Sequence, residues 1–190
     1  MFGMGICLIL GPGLIKALKR RRIGEEIRAD GPQSHFSKAG TPAMGGLLIL
    51  FSVICSILLW NSLANRFVWL ILFVLAGFGA LGFADDYMKV VLKNKKGITP
   101  LRKFTIQGIL GLLAGYALYS GMVEPSFRSV VMFPFFKNIQ PDIGIWYVPY
   151  AALVIVATSN AVNFTDGLDG LAIGPYIVAV GAYLVFSYVA

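Results

Sequence analysis

Phe67-Val-Trp69-Leu-Ile-Leu-Phe-Val-Leu-Ala-Gly-Phe-Gly-Ala-Leu-Gly-Phe-Ala84 runs directly into Asp85-Asp86, so eighteen mostly apolar residues end in two adjacent carboxylates. A helix of that length spans roughly 30 Å of hydrocarbon when it crosses at a modest tilt. The acids close the segment at the negative end of its helix dipole, where a second negative charge is disfavoured. Inserting one carboxylate near a bilayer core costs roughly 2.5–3.5 kcal/mol, so a membrane segment that ends this way needs a compensating cation or a use for the acids.

The rest of the chain repeats the pattern. Hydrophobic residues make up 57% of its 190 residues and charged ones 13%, whereas soluble domains carry about a quarter charged residues. Apolar segments fall at 2–18, 45–61, 67–84, 104–120, 146–162 and 171–190. The reading is an all-α, polytopic membrane helical bundle with about six transmembrane helices, forming a single integral-membrane domain over 1–190. The first segment is not a cleavable signal, because its basic residues follow the apolar stretch rather than precede it.

Orientation comes from charge. Of sixteen basic residues, seven (Lys16, Lys19, Arg20, Arg21, Arg22, Arg28, Lys38) flank the first connection and six (Lys89, Lys93, Lys95, Lys96, Arg102, Lys103) the third. The positive-inside rule puts those connections, and by alternation the fifth, in the cytoplasm, with loops at about 19–44, 85–103 and 160–170. Trp60, Trp69 and Trp146 fall at the opposite ends of their segments, where an interfacial aromatic belt belongs. The outer connection holds a short interfacial hairpin or re-entrant piece at 125–140, bounded by Pro125 and Pro141. Gly108, Gly111 and Gly115 make a small-residue face for close helix packing. Cys7 and Cys55 read as small packing residues. No nucleic-acid partner is expected, and a homodimer is left open.

The second polar constellation, Asn160-Ala-Val-Asn163-Phe-Thr-Asp166-Gly-Leu-Asp169-Gly170, ends the fifth segment on the same face as Asp85-Asp86. Asn163, Asp166 and Asp169 are spaced three apart, and Gly167 and Gly170 let backbone approach a ligand. Asparagine suits a Mg2+ ligand or a base-edge reader, and the acids could hold ribose hydroxyls or a uracil N–H. The plainer alternative is a cap on the sixth helix through Thr165 or Asp166. For the first pair the plainer alternative is Lys89, placed i+4 from Asp85 and i+3 from Asp86 to form a helix-surface ion pair. A hard cation such as Mg2+, with oxygen ligands and retained waters, is the better partner for two acids. His35, the one histidine, and Lys38 sit in the first cytoplasmic loop; Lys38 suits phosphate contact as a point charge. The Lys93–Lys103 cluster obeys topology and could also meet anionic headgroups or a diphosphate.

Taken together, Asp30-Gly-Pro-x-Ser-His-x-x-Lys38-x-Gly-Thr-Pro-x-Met-Gly-Gly46, Gly82-Phe-Ala-Asp85-Asp86-Tyr-x-Lys89 and Asn160-Ala-Val-Asn-x-Thr-Asp-Gly-Leu-Asp-Gly-Leu171 resemble the MraY family of phospho-N-acetylmuramoyl-pentapeptide transferases. The resemblance covers nearly the whole chain but only about the first half of a family member. It implies transfer of phospho-N-acetylmuramoyl-pentapeptide from its UDP carrier to undecaprenyl phosphate, giving lipid I and UMP with Mg2+, in the bacterial inner membrane among its lipids. Asp85, Asp86 and Asp166 would be catalytic. Lys38, His35, Lys89, Asn163 and Asp169 would bind substrate, and Asn163 and Asp86 would hold metal. Ala43 stands where the family usually has threonine. The family's later aspartate loop and histidine cluster are absent from these 190 residues, and the last segment runs to Ala190 without a basic stop. The chain therefore reads as the N-terminal part of a larger transferase, inactive alone.

Three rivals remain. One is a polyprenyl-phosphate N-acetylhexosamine-1-phosphate transferase of the same superfamily, although the Ser-His-x-x-Lys-x-Gly-Thr-Pro loop favours the muramoyl branch. Another is an ion-coupled transporter, which would place its acids near the bilayer midplane on broken helices. The third is a non-catalytic fragment acting as an assembly partner.

Overall fold

The computed structural model describes residues 2–20, 44–94, 97–133, 138–165 and 171–189. Among them run six α-helices: α1 (Phe2–Arg20), α2 (Gly46–Trp60), α3 (Arg66–Val90), α4 (Pro100–Ala117), α5 (Tyr147–Thr165) and α6 (Ile173–Val189). No strand forms among the described residues. Two helical stretches, Arg66–Val90 and Gly144–Thr165, are long and apolar enough to cross a membrane, and the apolar helices Phe2–Leu18, Gly46–Trp60 and Ile173–Val189 are shorter. This is the expected all-α membrane bundle.

Local chemistry sets the helix ends. Asn65 caps α3, its side-chain oxygen accepting from the Phe67 amide at 3.0 Å, a bond that satisfies one of the unpaired first-turn donors. Pro100 opens α4, where its missing N–H costs nothing and its fixed φ suits a helix start. One boundary differs from the sequence reading in a way that matters. Asp85 and Asp86 do not end α3, which continues to Val90. The helix leaves the apolar layer with its hydrogen-bond ladder intact, and Lys89 in its last turn complements the dipole. Likewise Thr165 does not cap α6. It is the last residue of α5 and its hydroxyl donates back to the Ala161 carbonyl at 2.8 Å.

Helices α1 to α5 pack as antiparallel neighbours in chain order. At one end of α1 and α2 the Phe2 and Trp60 rings meet edge-on at 6.2 Å. Further along, the Cys7 thiol donates to Ser52 Oγ at 3.1 Å while that hydroxyl donates to the Leu48 carbonyl at 2.7 Å. Ser52 is buried, so this is a polar link of the kind that holds helices together where lipid supplies no hydrophobic drive. Gly77 of α3 faces Leu110 of α4, and Gly79 faces Leu50 of α2, which sets α3 between them.

The tightest seam joins α4 to α5. Gly111 lies against the Ala152 backbone and Gly115 against the Val148 carbonyl and Ala151. Gly108, the third residue of the expected small face, opens onto free space instead. The side chains buried along this seam are correspondingly small, Ala114, Ala151 and Ala152, while large apolar residues point outward along most of the helices. Such an outward apolar surface belongs to an integral membrane protein.

Beyond α4, a π turn (Leu118–Met122) leads into the outer connection. There an isolated antiparallel bridge pairs Val130 with Asp142. The Val131 amide donates to the Pro141 carbonyl at 3.1 Å and the Ile143 amide to the Ser129 carbonyl at 3.0 Å. The expected hairpin is therefore present at its base, and its residues 134–137 lie outside the described residues.

Candidate active site

Asp85 is buried on the last turns of α3. Its Oδ2 accepts from Lys89 Nζ at 2.7 Å and its Oδ1 from the Ile98 amide at 2.8 Å. The i+4 ion pair weighed as the plainer reading is thus made, and the α3–α4 connection folds back to supply a second donor. That return needs Gly97, which is buried with φ +57°. A Cβ there would run into the Asp85 and Lys89 side chains, and the left-handed backbone is one that other residues adopt at a cost. The Lys89 side chain is 42% exposed, so the pair contributes about 0–1 kcal/mol to stability and matters chiefly for where it holds the carboxylate. Lys103, at the start of α4, lies within electrostatic reach of the same acid. Asp86 is exposed beside it and has an interaction of its own.

One turn back from Asp85, a cleft of about 290 Å³ opens between three helices. Phe78, Leu81 and Gly82 of α3 form one wall, and Lys103 and Gln107 of α4 another. Ser159, Asn160 and Asn163 of α5 close it. The stretch of α3 just before the acids and the end of α5 that carries the asparagines therefore line one cleft together with α4, while Asp85 and Asp86 themselves lie outside its lining.

A half-buried amide pair ties the cleft together. Gln107 is buried, and its Oε1 accepts from Asn160 Nδ2 at 2.9 Å. The same nitrogen donates to the Val156 carbonyl at 2.8 Å. Because a carbonyl can only accept, that second bond fixes which end of the Asn160 amide is nitrogen, leaving Asn160 Oδ1 as the group's acceptor. A partner lost here strands a buried polar atom. Thermal unfolding of Gln107→Met, Asn160→Ala and the double variant should give a coupling energy of about 1 kcal/mol; strictly additive losses would mean the bond contributes nothing.

Of the residues singled out in the sequence, the structure brings Asp85, Lys89 and Lys103 into one electrostatic group and places Asn163 on the adjoining cleft. His35, Lys38, Ala43, Asp166 and Asp169 lie outside the described residues. Among the described residues no three His, Cys, Asp or Glu side chains cluster as metal ligands.

The model of "Glycosyl transferase family 4" matches residues 68–190, well over half of the chain. The chain belongs to glycosyl transferase family 4. A phospho-N-acetylmuramoyl-pentapeptide-transferase signature also matches residues 38–50. Three relatives are each named phospho-N-acetylmuramoyl-pentapeptide-transferase. The one from Desulforapulum autotrophicum is 52% identical, that from Desulfosudis oleivorans 50% and that from Pelobacter propionicus 48%. Each match covers 97% of this chain and 51% of the relative, so the chain spans about half the length of the curated relatives it matches. The family match takes in both acid motifs, and the signature begins at Lys38, three residues after His35.

Several residues in or beside the cleft of this family 4 chain went unnoticed in the sequence. The Ile98 amide carries no side-chain signal at all. Gln107 did carry one: an uncharged amide inside an apolar segment, four residues after Lys103 and so on the same helix face. Ser159 was masked by the more conspicuous asparagines that follow it.

Proposed function

We propose that this chain forms the acid-bearing part of a phospho-N-acetylmuramoyl-pentapeptide transferase, which passes the phospho-sugar from UDP to undecaprenyl phosphate and releases UMP. The observation that carries the reading is the cleft shared by the α3 and α5 motifs, with Lys103 on its third wall. The names of the relatives support it, as does the signature from Lys38 onward.

Phosphoryl transfer asks a protein for positioning and charge neutralisation more than for covalent chemistry. Asp85 would orient the attacking lipid phosphate. A phosphate monoester's second pKa is about 6, so little proton abstraction is needed at neutral pH. Lys89 has an exposed, flexible stem, so its ammonium can leave Asp85 for an incoming phosphate. Lys103 would neutralise the diphosphate from the α4 side. Asn163, with Asp166 and Asp169 beyond it in sequence, would read the nucleotide.

The oxygen-only donors of Asp86 and Asn163 suit a hard cation, and these two would hold Mg2+. Such an ion, when bound, neutralises charge on the diphosphate. The concentration of basic residues on the first and third connections turns the cleft toward the cytoplasm of a bacterial cell membrane. A soluble nucleotide then arrives from water while the lipid phosphate enters sideways.

The test uses the full-length protein reconstituted with undecaprenyl phosphate and Mg2+. UMP should be released with UDP-N-acetylmuramoyl-pentapeptide. Release with UDP-N-acetylglucosamine alone would move the protein to the hexosamine branch, and no UMP from either donor would end the transferase reading.

A further inference from the structure

One chain of hydrogen bonds gives the cleft a fixed polarity. The Val156 carbonyl can only accept, so the part of Asn160 that meets it at 2.8 Å is the Nδ2 amino group. That nitrogen carries two hydrogens, and the second goes to Gln107 at 2.9 Å. A donor must meet an acceptor, so Gln107 turns Oε1 toward α5 and its own amino group away. Both Nε2 hydrogens are left over, and they meet no acceptor among the described residues. Gln107 is only 3% exposed, yet its amino group is not sealed in. Every fully buried side-chain nitrogen or oxygen among the described residues has a partner, so Nε2 opens to the cleft that Gln107 lines. A backbone carbonyl of α5 thus sets, through two side chains, which atom α4 offers to a ligand.

What that atom would meet is set by its neighbours. Lys103 lies one turn before Gln107 on α4, at the spacing that puts two side chains on one helix face. It is the one charged residue among the described residues lining the cleft, and neither Asp85 nor Asp86 is in that lining. An ammonium and a neutral amino group side by side, with no described carboxylate in the lining, suit an oxyanion. The lysine supplies charge without direction. The amide supplies direction, and in a site of low dielectric its hydrogen bond is stronger than in water.

Building on the transferase reading above, we propose that Gln107 is a substrate-binding residue whose Nε2 holds a phosphate oxygen beside Lys103, and that Asn160 is the positioning residue that aims it. The ligand is a phosphate oxyanion, carried by the nucleotide diphosphate or by the lipid. Reversing the Gln107 amide would set an acceptor against that oxygen and repel it, which is why the direction of the Asn160 bond matters.

The test measures equilibrium binding to the full-length protein in detergent, with Mg2+ present throughout. Each phosphorylated probe is compared with its phosphate-free parent: UDP with uridine, and farnesyl phosphate with farnesol. Gln107→Glu and Gln107→Met should each weaken a phosphorylated probe by about tenfold or more, the scale for a hydrogen bond to a charged group, and leave its parent unchanged. The probe that responds names the source of the phosphate. Gln107→Glu keeps an oxygen for Asn160 Nδ2, so its melting temperature should stay near wild type. A merely structural glutamine would leave phosphate binding intact in that variant, which would overturn the proposal. Weakening by Gln107→Glu without weakening by Gln107→Met would reduce the effect to charge repulsion and overturn it too. So would equal loss of probe and parent, or a wild-type protein that binds neither phosphorylated probe better than its parent. Asn160→Ala frees the amide to turn and should weaken the same probe several-fold; wild-type affinity there would end its positioning role. The two readings fail separately. Unchanged probe binding in Gln107→Glu with normal UMP release sinks the phosphate contact alone. A phosphate-specific loss in a protein that releases no UMP from any donor sinks the transferase alone.

Discussion

If the proposed transfer reaction holds, Asp85→Asn in the full-length protein should lower UMP release by about 100-fold or more, the usual scale for losing a positioned acid–base group. The side chain keeps its size and an oxygen for the Ile98 amide, so the connection still folds back. It loses the charge that the proposed chemistry places beside the lipid phosphate. Stability should change little. Lys89 is 42% exposed and returns to water when its partner is neutral, a change worth about 0–1 kcal/mol. UMP release per folded protein, measured with the melting temperature, separates the two effects. Retention of more than a tenth of the rate would remove Asp85 from the reaction. A collapse in melting temperature would make it a structural residue.

Gly115→Val should produce the largest loss of stability in the bundle. A Cβ at 115 would lie 2.7 Å from the Val148 carbonyl oxygen and 3.2 Å from Ala151 Cβ. Those neighbours are backbone and a methyl group, so neither rotates away. The helices must separate, at about 1–3 kcal/mol for overpacking even before lost contacts are counted. Two turns along the same seam is the Gln107–Asn160 bond, so the amide pair that shapes the cleft opens too. Gly108→Val is the control, since nothing lies within 4 Å of a Cβ there. Thermal unfolding in detergent should rank Gly115→Val well below wild type and Gly108→Val near it. Equal melting of the two variants would contradict the α4–α5 packing.

Much of the architecture was readable because lipid imposes simple rules. Backbone polar groups must be paired within each crossing, so every long apolar run becomes a helix and its ends fall near the run's ends. That logic located α2 to within a residue at each end and α5 nearly as well. It misplaced the end of α3, because hydropathy marks where lipid stops and not where a helix does. The ladder continued to Val90 through polar residues that water and Lys89 tolerate. The small-residue face was half right for a similar reason. Spacing shows which glycines share a stripe but not which row of it a neighbour follows, and α5 tracks Gly115, Gly111 and Gln107 at i, i+4 spacing while Gly108 beside that row opens onto free space.

By itself the sequence determined which residue types follow which apolar runs: paired carboxylates after the run within α3, asparagines on α5, basic loops and opposing tryptophans. These follow from local composition and the cost of polarity in lipid, which act on each segment independently. Only the tertiary structure decided that Gln107 and Asn160 form a half-buried pair, that a loop amide thirteen residues away holds Asp85, and that α3, α4 and α5 enclose one cleft. Those facts depend on rotation and close approach of whole helices, set by glycines and alanines whose contribution is the space they leave. No periodicity along a chain records which neighbour fills that space.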